Sequence, residues 1–430
     1  MPIRRSTTRE PNPRGETCVP RSEHRAGDGA GNRRSQLIVV AVGVLASGLA
    51  FAYAPHKSSG ATKLTDYYRE AWPAYSALLH GHVREFLQHS PAYVGSLILR
   101  APFAMMAWLW GGGANAVYIT SAVPCMLAAV AFCAWLAGQP RRRGGIGWAS
   151  RLFPIICCVL NPVVLVAIYF GHPEEVLGAV LCVAAVVLAT RGKAGLAGLV
   201  TALAIINKPW ALVVVPVVFA VLPGGRRRAL LVVVGLVGAV YVPVVALRDS
   251  GLSASSGGTK IGSIFNAPEL LWWFGLHSWI VQQARWLIGA VAFGCAGLWW
   301  WGRRPARAHV PTASEALLLL ALVLLLRAAL DPWNNPYYHV PFLFALIAYE
   351  THEGRPPALT ALYSVLLMIV VPLQGVPMSS SLRAAAYAVI VVPGIAWLAA
   401  KVYLPNAVPR NLSVASRFAV LRRGSLLNRA

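Results

Sequence analysis

The chain has 430 residues, 57% hydrophobic and 12% charged, with a formal net charge of +23. Soluble domains carry about 25% charged residues, so the composition excludes an ordinary water-soluble enzyme. Apolar blocks of about 20 residues, the length that matches the hydrocarbon core of a bilayer, alternate with short Arg-rich or Pro/Gly-rich breaks. The fold class is therefore an all-α polytopic membrane protein.

The positive charge does not point to nucleic acid. Basic residues sit at the ends of apolar blocks, where the positive-inside rule places them, and no basic face is interleaved with aromatics. Anionic lipid headgroups and polyprenyl phosphates suit this distribution better. The seven cysteines, Cys18, Cys125, Cys133, Cys157, Cys158, Cys182 and Cys295, lie almost wholly within apolar segments and form no CxxC pair. They read as small core residues rather than a disulfide framework or metal site.

Residues 1–35 are polar and rich in Arg, Gly and Pro, and read as a disordered cytoplasmic tail. Leu37 to Ala54 follows Arg33-Arg34 and ends in a cleavage-like Ala52-Tyr53-Ala54, but it exceeds a signal-peptide core of about 7–15 residues. It is expected to remain as the first span. Further spans are expected at 114–138, 149–170, 174–190, 194–206, 209–222, 229–247, 285–301, 314–330, 337–350, 358–376 and 383–403, giving about 12. The apolar segment 92–110, interrupted by Arg100 and Pro102, is read as a helix along the outer interface. That choice places Lys and Arg on the cytoplasmic side by a bias of about three to one. The short segments 194–206 and 209–222 meet at Asn207-Lys208-Pro209 and are expected to form a hairpin. The basic stretch 404–430 is the second cytoplasmic tail, so both termini face the cytoplasm. The outer side then collects loop 56–113, the turn Gly171 to Glu175, loop 248–284 and the stretch Asp331 to His339.

Most of the fifteen acidic residues lie away from outer membrane ends or in solvated surroundings. Glu10, Glu16, Glu23 and Asp28 fall in the tail, and Glu315, Glu350 and Glu353 are expected on the cytoplasmic side. Glu70, Glu85 and Glu269 read as freely solvated. Asp66, Glu174, Glu175, Asp249 and Asp331 remain, and ionisable groups near membrane depth are functional candidates. Asp66 heads the stretch Lys63 to His82 and precedes Tyr68, Trp72, Tyr75 and Leu79, which share one helical face as an interfacial aromatic stripe. Pro73 suggests a helix starting near Trp72. Asp66 is either a catalytic base at the head of this loop or a turn and N-cap residue.

The turn Gly171-His172-Pro173-Glu174-Glu175 is either a helix start with acids at its positive end or a binding element. Lys208, inside an apolar hairpin, needs an anion, either a phosphate or a carboxylate from another span. Arg327 can pair with Asp331 at i, i+4. Arg248 and Lys260 border the second outer loop and are placed to meet phosphate. Asn334, Tyr338 and His339 lie in the last outer loop, where His339 and the tyrosines also suit an interfacial belt. His80, His82, His89 and His172 lack the spacing of a zinc site. No phosphate loop, nucleophile elbow or Walker motif is present.

Several motifs together resemble the polyprenyl-phosphate-dependent GT-C membrane glycosyltransferases. They are Asp66 with its aromatics and Leu78-Leu79-His80-Gly81, Asn161-Pro162, and Gly171-His172-Pro173-Glu174. Ala194-Gly195-Leu196-Ala197-Gly198 with Asn207-Lys208-Pro209-Trp210 and Pro336-Tyr337-Tyr338 complete the set. The chain is most similar to glycosyltransferase family 87, over roughly residues 37 to 400. The resemblance implies a GT-C-like fold with two interfacial helices in the first outer loop and a cavity open to lipid. It also implies a bacterial plasma-membrane enzyme, Asp66 as general base, and a sugar, mannose in that family, carried on polyprenyl phosphate to a glycolipid or glycan acceptor. No cofactor or nucleotide-binding domain is then required. The chain departs from the pattern in having Tyr67 after Asp66, where many members carry an acidic pair, and in the His172-Pro173-Glu174-Glu175 turn. Lys208, Arg327 and Arg248 are the cations suited to a departing phosphate, with His172, Glu174, Glu175, Asn334, Tyr338 and His339 as further substrate-binding candidates. A single base with direct displacement inverts the anomeric centre. The alternative is a transporter or flippase of a lipid-linked saccharide, which broken helices and a buried Lys also suit.

Overall fold

The computed structural model of the chain describes residues 27–56, 66–139, 148–247, 270–275, 279–303, 311–332, 335–370 and 379–405. Arg248, Asp249, Lys260, Glu269 and Asn334, like most of both tails, lie outside these residues. The described residues are all-helical. Helix α1 (Gly27–His56) is followed by a π-helical turn (Tyr67–Ala71) and α2 (Trp72–Leu79), α3 (Val83–His89) and α4 (Val94–Leu109). Next come α5 (Ala114–Ala137), α6 (Trp148–Cys158), α7 (Pro162–Phe170), α8 (Glu174–Thr190), α9 (Ala194–Asn207), α10 (Val215–Val221) and α11 (Arg226–Leu247). The last are α12 (Trp279–Gln282), α13 (Ala284–Gly302), α14 (Ala313–Leu330), α15 (Val340–His352), α16 (Ala358–Val370) and α17 (Ser380–Tyr403).

Among the described residues, five helices are each long and apolar enough to cross a membrane, or six if the pair Leu152–Cys158 and Pro162–Phe170 counts as one span. That pair replaces the single span expected at 149–170 and is bent by 41°. The bend has a local cause. Pro162 cannot donate to a continuing helix, and Asn161 occupies the break. Its Oδ1 caps α7 by accepting from Val163 N at 2.9 Å, while its Nδ2 donates to Cys157 O at 3.0 Å and Ser364 Oγ at 2.8 Å. Helix α1 begins earlier than the tail boundary suggested, because its exposed Arg33 and Arg34 extend the helix at no apolar cost.

Helix ends sort into two groups. At one end Gln36 reaches Ala134 O, His352 lies against Trp135 with its ring tilted by 55°, and Arg303 pairs with Glu315 at 2.9 Å. The hairpin at 194–221 closes there too: a Cβ on Gly225 would lie 2.7 Å from Ala194 Cβ. At the other end lie Asp66, the 171–173 turn, the hairpin apex at Lys208 and the 336–339 turn. Both ends of α4 approach this second group. Tyr93, just before α4, lies beneath Lys208, with Nζ 4.1 Å from the ring centre, and Ala114, just beyond it, accepts from Tyr67 at 3.1 Å. Helix α4, 16 residues long, is thus held to this group from both of its ends.

The long core is built from α5, α8, α9, α14 and α15, with Leu317–Leu325 of α14 almost wholly buried. A second, smaller core joins α2, α3 and α4 to the start of α5. Here the expected interfacial stripe is corrected. Tyr75 and Leu79 are buried, with Tyr67 beside them, and only Tyr68 is well exposed. The face packs on protein, with Tyr75 OH donating to Leu97 O.

Helices α4 and α9 touch at Gly95, where a Cβ would overlap Ile206 Cγ2 and Ile206 O. A backbone oxygen cannot rotate away, so Gly95→Ala must part the helices. It is expected to lose roughly 1–3 kcal/mol, the usual cost of overpacking. Thermal unfolding of the solubilised protein measures this, and an unchanged midpoint would contradict the close approach.

Candidate functional site

The site begins at the turn after α7. Helix α7 ends on Gly171, whose φ of 96° is the left-handed conformation that closes helices and that suits glycine. A second reason also requires glycine. A Cβ there would lie 2.6 Å from Tyr67 Cβ and 2.9 Å from Tyr67 N, so its absence lets the turn press against the segment that carries Asp66.

Pro173 then starts α8, and Glu174 and Glu175 occupy its first turn, where the helix dipole favours acids. Both carboxylates are fully buried. A buried charge persists only when paired, and Glu174 has three cationic neighbours. Its Oε1 lies 2.7 Å from His172 Nδ1 and 3.1 Å from Lys208 Nζ, and its Oε2 lies 3.4 Å from Arg100 Nη2. Lys208 also reaches Glu175 Oε1 at 3.4 Å. Of the two anions open to Lys208, the structure supplies the carboxylates. Asn207 supports the same corner by donating from Nδ2 to Glu174 O at 2.8 Å.

His172 carries the cluster to Asp66, its Nε2 lying 3.1 Å from Asp66 Oδ2. Asp66 stands at the start of the π-helical turn, but its side chain makes no cap hydrogen bond, so the simple N-cap reading does not describe it. Oδ2 also accepts from Tyr337 OH at 3.5 Å, and Asn335 Nδ2 donates to that hydroxyl at 2.9 Å. Its side chain keeps 32% of its exposure. Among the described residues no donor reaches Oδ1. One oxygen is held and the other is open.

Burial alone pushes the His172 imidazolium down, and Lys208 acts the same way. The Glu174 carboxylate and the hydrogen bonds to Asp66 and Glu174 outweigh both and raise it to about 9. A proton bound more tightly in the folded state stabilises the fold fully below the ordinary pKa of 6.5, and this stabilisation is lost as pH rises through about 9.

Arg327 extends the site on the far side of Trp210, whose Nε1 donates to Glu175 Oε1 at 3.3 Å. The guanidinium lies 4.8 Å from the Trp210 ring and 4.5 Å from the Tyr338 ring. Its Nη1 donates to Tyr338 O at 3.0 Å, and Nη2 lies 3.9 Å from Asp331 Oδ2, the longest of these ion pairs. It is 4% exposed, and its Nε has no hydrogen-bond partner.

Sequence reasoning thus named Asp66, His172, Glu174, Glu175, Lys208, Arg327 and Tyr338, and all of them meet here. It misplaced others. His339 does not belong to an interfacial belt. It is wholly buried, with Nδ1 3.1 Å from Tyr363 OH and Nε2 3.0 Å from Tyr387 OH, so both ring nitrogens are occupied and it anchors the 336–339 turn to α16 and α17. Glu70 is half-buried at the site and accepts from Tyr93 OH at 2.8 Å. Glu350 was not misplaced: at the end of α15 away from the 336–339 turn, it is 2% exposed and accepts from Leu359 N, Thr360 N and Thr360 Oγ1 at the start of α16. Arg100 was seen only as an interruption. Its one signal was a guanidinium within an apolar run, which must find an anion. Among the described residues no group of three His, Cys, Asp or Glu could hold a metal ion.

No family model, curated protein or solved structure matches the chain.

Removing one partner of a buried ion cluster costs about 3–5 kcal/mol, whereas an exposed pair contributes about 0–1 kcal/mol. Glu174→Ala is therefore expected to lower the unfolding midpoint sharply. Glu85→Ala, which breaks an exposed pair with His82 at 3.3 Å, is expected to leave it nearly unchanged. Equal effects in a thermal-shift assay would contradict the buried pairing.

Proposed function

We propose that the protein is an inverting membrane glycosyltransferase that moves a sugar from a polyprenyl-phosphate donor to a glycolipid or glycan acceptor. The observation that carries this reading is the half-held Asp66 carboxylate, anchored through Oδ2 and open at Oδ1. An acceptor hydroxyl is a weak nucleophile. As its oxygen attacks the anomeric carbon, Oδ1 takes the proton, the bond from that carbon to the phosphate oxygen breaks, and the electron pair leaves with the phosphate. Attack opposite the leaving group inverts the centre. A base placed within about 3 Å of the hydroxyl contributes 10²–10⁴-fold.

Arg327 suits the departing phosphate best. Lys208 is engaged by Glu174 and Glu175, whereas Arg327 has a free Nε and rests between two aromatic rings. A guanidinium recognises phosphate through several donors at once, and a fixed cation stabilises charge that develops in a low-dielectric site.

In this reading the fold is GT-C-like with about 12 spans, the shorter helices completing the crossings. It lies in a bacterial plasma membrane with both termini cytoplasmic, Asp66 at the outer face, and mannose as the sugar. The buried charges at the Asn207–Pro209 break are the one observation that also suits a flippase for a lipid-linked saccharide. An assay on solubilised protein with polyprenyl-phosphate sugar and acceptor separates the two, because a flippase makes no product without a second compartment.

Asp66→Asn is expected to lower kcat by about 10²–10⁴-fold while the unfolding midpoint and membrane insertion stay near those of the parent. Full transfer by this variant would remove the mechanism.

A further inference from the structure

We propose that His172 is a positioning residue for Asp66. Doubly protonated and gripped from behind by Glu174, it holds one oxygen of the base and leaves the other unheld, so that transfer fails once the imidazolium loses its proton. The inference rests on the glycosyl-transfer reading above and assigns an alkaline limit to it.

The geometry demands the second proton. Nδ1 faces Glu174 Oε1 at 2.7 Å, and Nε2 faces Asp66 Oδ2 at 3.1 Å. Ionised carboxylates only accept hydrogen bonds, and a neutral imidazole has a single N–H. A neutral ring would turn a lone pair toward one of the two oxygens. Glu174 is the carboxylate that keeps the remaining N–H, because Lys208 and Arg100 hold it buried and ionised. Asp66, one-third exposed, is the one released.

Among the described residues, two further rings and one like charge bear on His172. Tyr93, at the start of α4, stands edge-on with its ring centre 6.1 Å away, and Tyr337, from the 336–339 turn, lies at 4.8 Å and 33°. Tyr93 donates to Glu70, so that carboxylate is occupied elsewhere. Lys208 is the like charge that acts against the imidazolium, and its two carboxylates offset it. The pKa of about 9 agrees with this arrangement. Because it is raised, the arrangement is intact at neutral pH and is lost on the alkaline side.

The test is kcat/KM for transfer from polyprenyl-phosphate sugar, measured between pH 6 and 10.5 on the full chain, with unfolding midpoints recorded at each pH. The parent is expected to hold level and then fall about tenfold per pH unit above roughly pH 9. His172→Gln donates one hydrogen bond without titrating, so it is expected to be at least tenfold slower with no such limb. A flat parent profile, or a limb that survives in His172→Gln, overturns the inference. Should that variant not fold, the nitrogen shift of His172 in ¹⁵N-histidine-labelled parent protein decides. Titration near pH 9 supports the inference, and titration below pH 7 overturns it. Full activity of Asp66→Asn would instead remove the base, which keeps the two failures distinct.

Discussion

A carboxylate with no access to water anchors this end of the bundle. Glu174 meets Arg100 from α4, Lys208 from the apex between α9 and α10, and His172 from its own turn. Three stretches of chain far apart in sequence are tied to one side chain. None of those cations has a comparable set of partners elsewhere among the described residues, and none could be buried without them. The arrangement explains what fixes α4 to this end: its guanidinium reaches Glu174. It also explains why the hairpin breaks at Asn207–Pro209, since a continuous helix would not turn Lys208 and the Asn207 amide toward the same acid.

The same interaction fixes the proposed chemistry. Glu174 holds His172, His172 holds one oxygen of Asp66, and Tyr337, whose ring lies against His172, reaches the same oxygen. His339 carries no part of the reaction in this account. By engaging Tyr363 and Tyr387 it ties the turn that delivers Tyr337 to two helices of the C-terminal third. The proposed base is thus exposed enough to meet a hydroxyl, and its orientation is set by groups exposed far less.

Much of this was legible in the sequence because the signals were local. Apolar blocks marked the helices, Asn161-Pro162 and Asn207-Lys208-Pro209 marked the breaks, and the scarcity of acids singled out Asp66, Glu174 and Glu175. What failed was non-local. Arg100 and Glu174 are 74 positions apart, by their numbers, and no spacing rule connects them. Glu70 read as solvated because nothing in the sequence says that Tyr93 folds over it. Tyr75 and Leu79 read as interfacial because an aromatic face that packs on protein has the same periodicity as one that meets lipid. His339 was misjudged for a related reason: its two tyrosines come from helices that follow it in the chain.

The most direct test is a single-particle structure of the chain in lipid nanodiscs with a non-reacting polyprenyl-phosphate sugar analogue. The account predicts the phosphate within hydrogen-bond reach of Arg327, and the face of the sugar that receives the acceptor within about 3–5 Å of Asp66 Oδ1. An analogue seated away from both residues, or an Asp66 side chain opening only to bulk water with no hollow beside it, would contradict the account.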